Sequence, residues 1–259
     1  MSDKIKILYV AANPVNTGHL RLQEEARDLE ERIRQAPHRE AFAVIHCLAA
    51  RPRDLLRGLQ EVQPHVLHFS GHGTAAKEIV LQDDDGASRP IAPQVLAGLV
   101  NLFSANLKVA VMSCCFGRSQ AKALSQVLDF TIGMNKPISD SAAVEFSATF
   151  YQVLAAGGSV RQAFEAARLL TSREGRKIFE KSDLLVRAGV CADDPLIKLP
   201  PPVEPPPPRP TNAPAPAGGN QVIAKVKDTR VGVMNNVAGN NNQSHTHLHV
   251  GDTADEFQS

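Results

Sequence analysis

The chain has 259 residues, of which 43% are hydrophobic and 21% are charged, a balance typical of a soluble protein with one sizeable domain. Its 28 basic and 27 acidic residues leave a net charge of +1, which gives no general attraction to nucleic acid or to an anionic membrane. No apolar segment approaches the roughly 20 residues that span a bilayer, and the short run from Ile7 has the pattern of a first strand. We therefore expect a cytoplasmic protein with no membrane span and no nucleic-acid partner.

Residues 1–199 alternate between strand-like and helix-like patterns and are predicted to form one domain. Short apolar runs predict strands at 5–11, 42–48, 66–69, 107–112 and 130–134. Apolar residues at helical spacing predict helices at 20–34, 53–62, 94–103, from 119, 142–156 and 160–170. An Asp-Asp-Asp-Gly turn between 79–81 and 89–91 predicts a small hairpin. Strands that alternate with helices in this way indicate an α/β fold with a mainly parallel sheet covered by helices.

The composition changes abruptly after residue 199. Ten prolines fall within residues 200–216, so residues 200–219 are predicted to be a semi-rigid linker. Residues 220–259 carry short β-prone runs, many Asn and Gln residues and no proline, which is the pattern of strands that stack between chains. A segment this short cannot bury a core of its own. We expect it to assemble with copies of itself or with a similar segment of a partner.

The four cysteines, Cys47, Cys114, Cys115 and Cys191, do not have the spacing of metal ligands. His68 and His72 are four residues apart, but two glycines interrupt the segment and no glutamate follows His68, so the zinc-peptidase pattern is absent. The sequence therefore gives no reason to expect a metal or another cofactor.

Two segments that follow predicted strands carry residues suited to catalysis. Residues 68–73 read His-Phe-Ser-Gly-His-Gly, and residues 113–117 read Ser-Cys-Cys-Phe-Gly. In open parallel sheets, active sites lie beyond the carboxyl ends of the strands. A cysteine beside a histidine supplies a nucleophile and its base. The residues alone do not decide which of the two adjacent cysteines is the nucleophile.

Several segments, in the same order along the chain, resemble the CHAT family of caspase-like cysteine peptidases. Residues 68–73 are similar to the family's histidine motif, and residues 112–117, followed by Gln120, are similar to its cysteine motif, where Asn-Ala-Cys is more usual. The opening segment 7–14, with Glu24 and Glu25 in the helix after it, also resembles the family, as do parts of residues 132–157. The resemblance covers about residues 4–198 and implies a caspase-like three-layer sandwich.

The resemblance implies roles for individual residues. His72 would be the general base and Cys115 the nucleophile, since the family's spacing counted back from Gln120 ends at Cys115. The backbone N–H groups of Gly73 and Cys115 would form the oxyanion hole. Relatives use a Cys/His dyad, so no third acid is assigned. Cys114 would occupy the family's alanine position and face the core.

Asp140 matches a family position near the pocket for the residue that precedes the scissile bond, the P1 residue. In separase-like relatives an acid at this position receives a basic side chain. Ser139 and Asp140 also precede a predicted helix, so a role as its N-cap is the alternative, and the two roles are not exclusive. Both roles are open.

The resulting hypothesis is a cysteine endopeptidase that cleaves a protein substrate in a prokaryotic signalling, defence or cell-death pathway. The tail at 220–259, or a partner, would activate it by raising its local concentration. One alternative keeps the fold without catalysis, as a caspase-like interaction platform. Another is a different α/β signalling module, which the opening strand alone would permit.

Overall fold

In the computed structural model, which describes residues 4–134, 137, 139–171 and 182–196, strands and helices alternate along the chain. The strands are β1 (Ile5–Ala12), β2 (Phe42–Cys47), β3 (Val66–Gly71), β4 (Ile79–Gln82), β5 (Ser88–Ile91), β6 (Val109–Ser113), β7 (Phe130–Gly133) and β8 (Asp183–Val186). The helices are α1 (Leu22–Gln35), α2 (Pro52–Val62), α3 (Pro93–Asn101), α4 (Arg118–Leu124), α5 (Asp140–Ala155) and α6 (Val160–Leu170), with a short 3-10 helix at Arg39–Ala41. Every predicted boundary lies within two residues of the observed one.

Within the described residues, six strands form one sheet in the order β2-β1-β3-β6-β7-β8, and β4 pairs with β5 in a separate hairpin. All neighbours in the large sheet are parallel except β7 and β8. The predicted α/β class and mainly parallel sheet are therefore confirmed. The antiparallel strand β8 and the 3-10 helix were not predicted.

Helices cover both faces of the sheet because alternate residues of each buried strand point to opposite sides. On β1, Ile7 and Tyr9 belong to one core cluster, which also contains residues of α1, α5 and α6. Leu8 and Val10 belong to a second cluster with residues of α2, α3, α4 and the hairpin. This is the predicted three-layer arrangement, and it directs the even-numbered positions of β3 toward α1 and α5.

The structure describes no helix with both the length and the apolar character needed to cross a membrane. The predicted linker at 200–219 and tail at 220–259 lie outside the described residues. The division of the chain at residue 199 therefore stays a prediction.

Candidate active site

Two neighbouring strands bring the histidine and cysteine segments together. β3 and β6 are adjacent and parallel, and Ser70 of β3 pairs in register with Ser113 of β6. His72 follows the end of β3 by one residue, and Cys115 follows the end of β6 by two. Both side chains, with Asp140, line the same small cleft of about 40 Å³.

The two segments touch through their backbones at Gly73. A Cβ atom added at this position would lie only 1.9 Å from the carbonyl oxygen of Cys115, which no side chain could accommodate without a backbone shift. Gly73 is therefore required for the close approach of the two loops.

The backbone N–H groups of Gly73 and Cys115 donate to no other backbone group among the described residues. Gly73 forms an antiparallel bridge with Ile79, in which the residues on either side of Gly73 make the hydrogen bonds. In such a pair the residue's own N–H points away from the partner strand. The Gly73 N–H is thus directed away from β4.

The ring of His72 is oriented by the chain between β1 and α1. Its Nε2 atom lies 2.7 Å from the carbonyl oxygen of Gly18. A carbonyl can only accept, so Nε2 must carry the proton of this hydrogen bond. The neutral imidazole then has its unprotonated nitrogen at Nδ1, the atom that can act as a base.

The two adjacent cysteines occupy different environments. Cys114 is 1% exposed and lies in the core cluster on the α2–α4 side, and burial, together with Cys115, raises the pKa of its thiol. Cys115 is half-buried and lines the cleft. This confirms the expectation that Cys114 faces the core. A buried thiol with a raised pKa is a poor nucleophile, so the environments of the two cysteines favour Cys115 as the nucleophile.

A tight turn after β6 separates these two environments. The N–H of Cys114 donates to the carbonyl of Met112 at 3.0 Å, and Phe116 has a positive φ of 59°. Gly117 packs so closely that an added Cβ would lie 2.7 Å from the Met112 carbonyl oxygen. The turn places Cys115 beyond the strand end and leads directly into α4.

Asp140 lines the cleft, and of its two open roles the structure contradicts that of N-cap of α5. The helix begins at Asp140 itself, and Ser139 occupies the N-cap position without a side-chain capping bond. The Asp140 carboxylate instead accepts a hydrogen bond from the backbone N–H of Arg21, at 3.3 Å. Because Asp140 lies inside the first turn, its side chain faces the start of α1 and not the amides that an N-cap residue would bind.

A buried acid beneath the cleft was not identified from the sequence as a site residue. Glu25 of α1 is 2% exposed and also lines the cleft. Its spacing from Leu22 and Leu29 places it on the apolar stripe of α1, and a charged residue on a buried stripe is a signal that could have identified it. Among the described residues, no group of three or more His, Cys, Asp or Glu side chains is arranged to hold a metal ion.

The chain belongs to the CHAT domain family, whose model matches residues 9–183. It is 25% identical over 150 residues to a probable protease of Gillisia limnaea, covering 57% of this chain and 26% of that protein. It is 23% identical over 156 residues to a Roc-COR-CHAT protease of an unknown prokaryotic organism, covering 58% of this chain and 15% of that protein. The chain thus spans about a quarter or less of these relatives.

The fold is similar to that of a solved cysteine proteinase. The crystal structure of the Arg-specific cysteine proteinase gingipain R superposes with a TM-score of 0.50, covering 74% of this chain and 48% of that one. The sequences are only 10% identical, so this likeness concerns the fold alone.

Proposed function

We propose that this domain is a cysteine endopeptidase with Cys115 as the nucleophile and His72 as the general base. The observation that carries the proposal is the meeting of two loops, from adjacent strand ends, that bring both side chains to one cleft at the carboxyl edge of the sheet. The relatives named as proteases support the same activity. Both side chains are half-buried, so each is partly accessible from the cleft.

The chemistry follows from these residue types. His72 takes the thiol proton at Nδ1, and the Cys115 thiolate attacks the carbonyl carbon of the scissile peptide bond. The tetrahedral intermediate collapses to a thioester, and the imidazolium returns its proton to the leaving amine. Water, deprotonated by His72, then hydrolyses the thioester and regenerates the thiol. The hydrogen bond from Nε2 to Gly18 keeps Nδ1 free for each of these proton transfers.

The oxyanion of this intermediate needs donors, and Gly73 and Cys115 are proposed to supply them. Both N–H groups lack another described backbone acceptor, and the two residues are in direct backbone contact. One such donor is worth about 3 kcal/mol in well-studied peptidases.

Asp140 is proposed to bind a basic P1 side chain. Its carboxylate lies in the cleft that holds Cys115, and among the described residues it accepts a hydrogen bond only from the backbone N–H of Arg21, which leaves hydrogen-bonding capacity for a ligand. An Asp140→Ala protein is expected to lose its preference for Arg or Lys at P1. Retention of both cleavage specificity and rate in this variant would contradict the assignment.

The substrate is proposed to be another protein of a prokaryotic signalling, defence or cell-death pathway. Residues 220–259 are proposed to activate the domain by assembly, a proposal that rests on their sequence pattern. A synthetic peptide of this segment is expected to form fibrils that bind Thioflavin T. A peptide that stays monomeric at high concentration would argue for activation by a partner instead.

The decisive experiment is cleavage of a mixed peptide library, read by mass spectrometry. Wild type, Cys115→Ala and Cys114→Ala would be compared, each with and without tail-driven assembly. Cleavage is expected in wild type and Cys114→Ala and should disappear in Cys115→Ala. If the wild type cleaves no peptide, with or without tail-driven assembly, the result would favour the second candidate, a caspase-like platform without catalysis.

A further inference from the structure

Two separate parts of the chain fix the position of His72. Its backbone continues β3, so the end of that strand sets where the residue lies. Its ring is hydrogen-bonded to the carbonyl oxygen of Gly18, which lies in the segment that leads into α1. Catalytic geometry is sensitive to displacements of about 1 Å, so β3 and α1 must be held in a fixed relation.

The carboxylate of Glu25 joins these two parts directly. Glu25 belongs to α1, and its carboxylate accepts a hydrogen bond from the Ser70 hydroxyl and lies 3.2 Å from Nε2 of His68. Ser70 and His68 both belong to β3. Ser70 and His72 are two residues apart, so Ser70 is the last side chain before His72 on that face of the strand. The link therefore reaches β3 close to the point where His72 emerges.

The same carboxylate also links α5 and β1 to β3 and α1 through hydrogen bonds. The Ser147 hydroxyl of α5 donates to Glu25 at 2.5 Å, and the Tyr9 hydroxyl of β1 lies 3.4 Å from the other carboxylate oxygen. Burial alone would raise the pKa of Glu25, but the hydrogen bond and electrostatic interaction with His68, together with hydrogen bonds from Ser147 and Ser70, outweigh it and hold the pKa below its ordinary value. Glu25 is thus a buried carboxylate with partners on three neighbouring elements.

We propose that Glu25 is a positioning residue for His72. Its hydrogen bonds hold the end of β3 against α1 and thereby keep the His72 imidazole hydrogen-bonded to the Gly18 carbonyl oxygen. The inference rests on the proposed peptidase function. It assigns a role in turnover, beyond simple cohesion of the core, to a carboxylate that touches neither the thiol nor the scissile bond.

The chain offers a matched control on the same helix. Glu30 of α1 also pairs with a histidine, His46 at 2.7 Å, but both residues are exposed and absent from the cleft. Glu25→Gln and Glu30→Gln therefore make the same chemical change in a Glu–His pair. In the buried pair, the new amide nitrogen cannot accept a hydrogen bond as the carboxylate oxygen does.

The first measurement is steady-state peptide cleavage by the full chain. We expect kcat of Glu25→Gln to fall by roughly 10–100-fold with KM within about threefold, since geometry is disturbed and the substrate contacts are kept. Glu30→Gln should match wild type. An unchanged kcat in folded Glu25→Gln would overturn the inference and leave the peptidase proposal intact.

A second pair of variants covers the case in which Glu25→Gln does not fold. Ser70→Ala and Ser147→Ala each remove one hydroxyl donor to the same carboxylate, but only Ser70 lies on the strand that carries His72. Positioning through β3 predicts a larger loss of kcat for Ser70→Ala at equal loss of thermal stability. Equal losses of kcat would mean that Glu25 serves general cohesion only.

A readout independent of activity separates this inference from the proposed function. Imidazole ¹⁵N NMR of selectively labelled protein reports the tautomer of His72. Ser70→Ala and Glu25→Gln should shift its Nε2–H population, whereas Glu30→Gln should not. If the wild type cleaves nothing, the peptidase proposal fails, and an unmoved His72 signal in Ser70→Ala would still reject the positioning role.

Discussion

Two places at the carboxyl edge of the sheet carry a histidine and a cysteine, and they differ in cavity size and in the elements that supply the two side chains. One is the cleft with His72 and Cys115, of about 40 Å³. The other is a larger cavity of about 510 Å³ beyond the end of β2, lined by His46 and Cys47 among others. Cavity size and residue type alone would favour the second.

The difference lies in which elements supply the two side chains. His46 and Cys47 are neighbours on one strand, so they point to opposite faces of the sheet. His46 contacts Tyr9 at a ring distance of 5.7 Å and pairs with Glu30. Burial, followed by the charge of Asp54, raises the pKa of the Cys47 thiol to about 11. His72 and Cys115, in contrast, follow two adjacent strands, and both side chains line one cleft.

Replacing each histidine in turn tests this comparison most strongly. His72→Ala is expected to lower kcat/KM for a cleaved peptide by roughly 10³-fold or more, because the proposed general base is removed. His46→Ala should leave kcat/KM near the wild-type value. Comparable losses in the two variants, at matched thermal stability, would remove the distinction between the sites.

Two glycines test the contact between the catalytic loops. Gly73→Ala places a Cβ against the Cys115 carbonyl oxygen, so the loops must separate, and we expect turnover to fall by about 100-fold. Gly98→Ala on α3 is the control, since nothing lies within 4 Å of its added Cβ. That variant should keep full activity and gain about 0.5–1 kcal/mol in free energy of unfolding. Full activity in Gly73→Ala would show that close contact of the loops is not needed.

Alkylation of the thiols compares the two sites without a substrate. At about pH 8 the raised pKa of Cys47 leaves it roughly 100-fold less thiolate than an ordinary cysteine, so it should react slowly with iodoacetamide. Cys114 should not react in the folded protein, because it is buried. Peptide mapping after short labelling is expected to find modified Cys115 well before Cys47. Labelling of Cys47 first would contradict the assignment of the reactive site.

The smallest expected effect is on the pH dependence of stability. The pKa of Glu25 is held below its ordinary value of 4.5, so its contribution to stability is present above that pH and is lost as pH falls through the lowered folded value. Urea midpoints measured between about pH 6 and about pH 3 should fall less steeply for Glu25→Gln than for wild type. Glu30→Gln should follow the wild-type curve.

Much of the fold could be predicted because buried parallel strands are short, continuous apolar runs that alternate with amphipathic helices. The boundaries of β1 and α6 followed from this pattern to within one residue. The pattern did not reveal β8, which pairs antiparallel at the edge of the sheet and whose four residues are all half-buried, unlike the fully buried parallel strands of the centre. It also did not resolve the role of Asp140, because an acid at the start of a helix has the same local sequence whether it caps the helix or faces a cleft.

The sequence by itself predicted the order of β1 to β7 and of α1 to α6, and it located the two motifs at the ends of β3 and β6. Only the tertiary structure decided that β1 lies between β2 and β3, that Gly73 touches Cys115, and that Glu25 bonds to β3. These contacts join residues far apart in the chain, such as Glu25 and His68, 43 positions apart, or His72 and Gly18, 54 apart. Local periodicity reports which face of an element is buried but not which distant partner covers it, and that choice is made by packing of the whole domain.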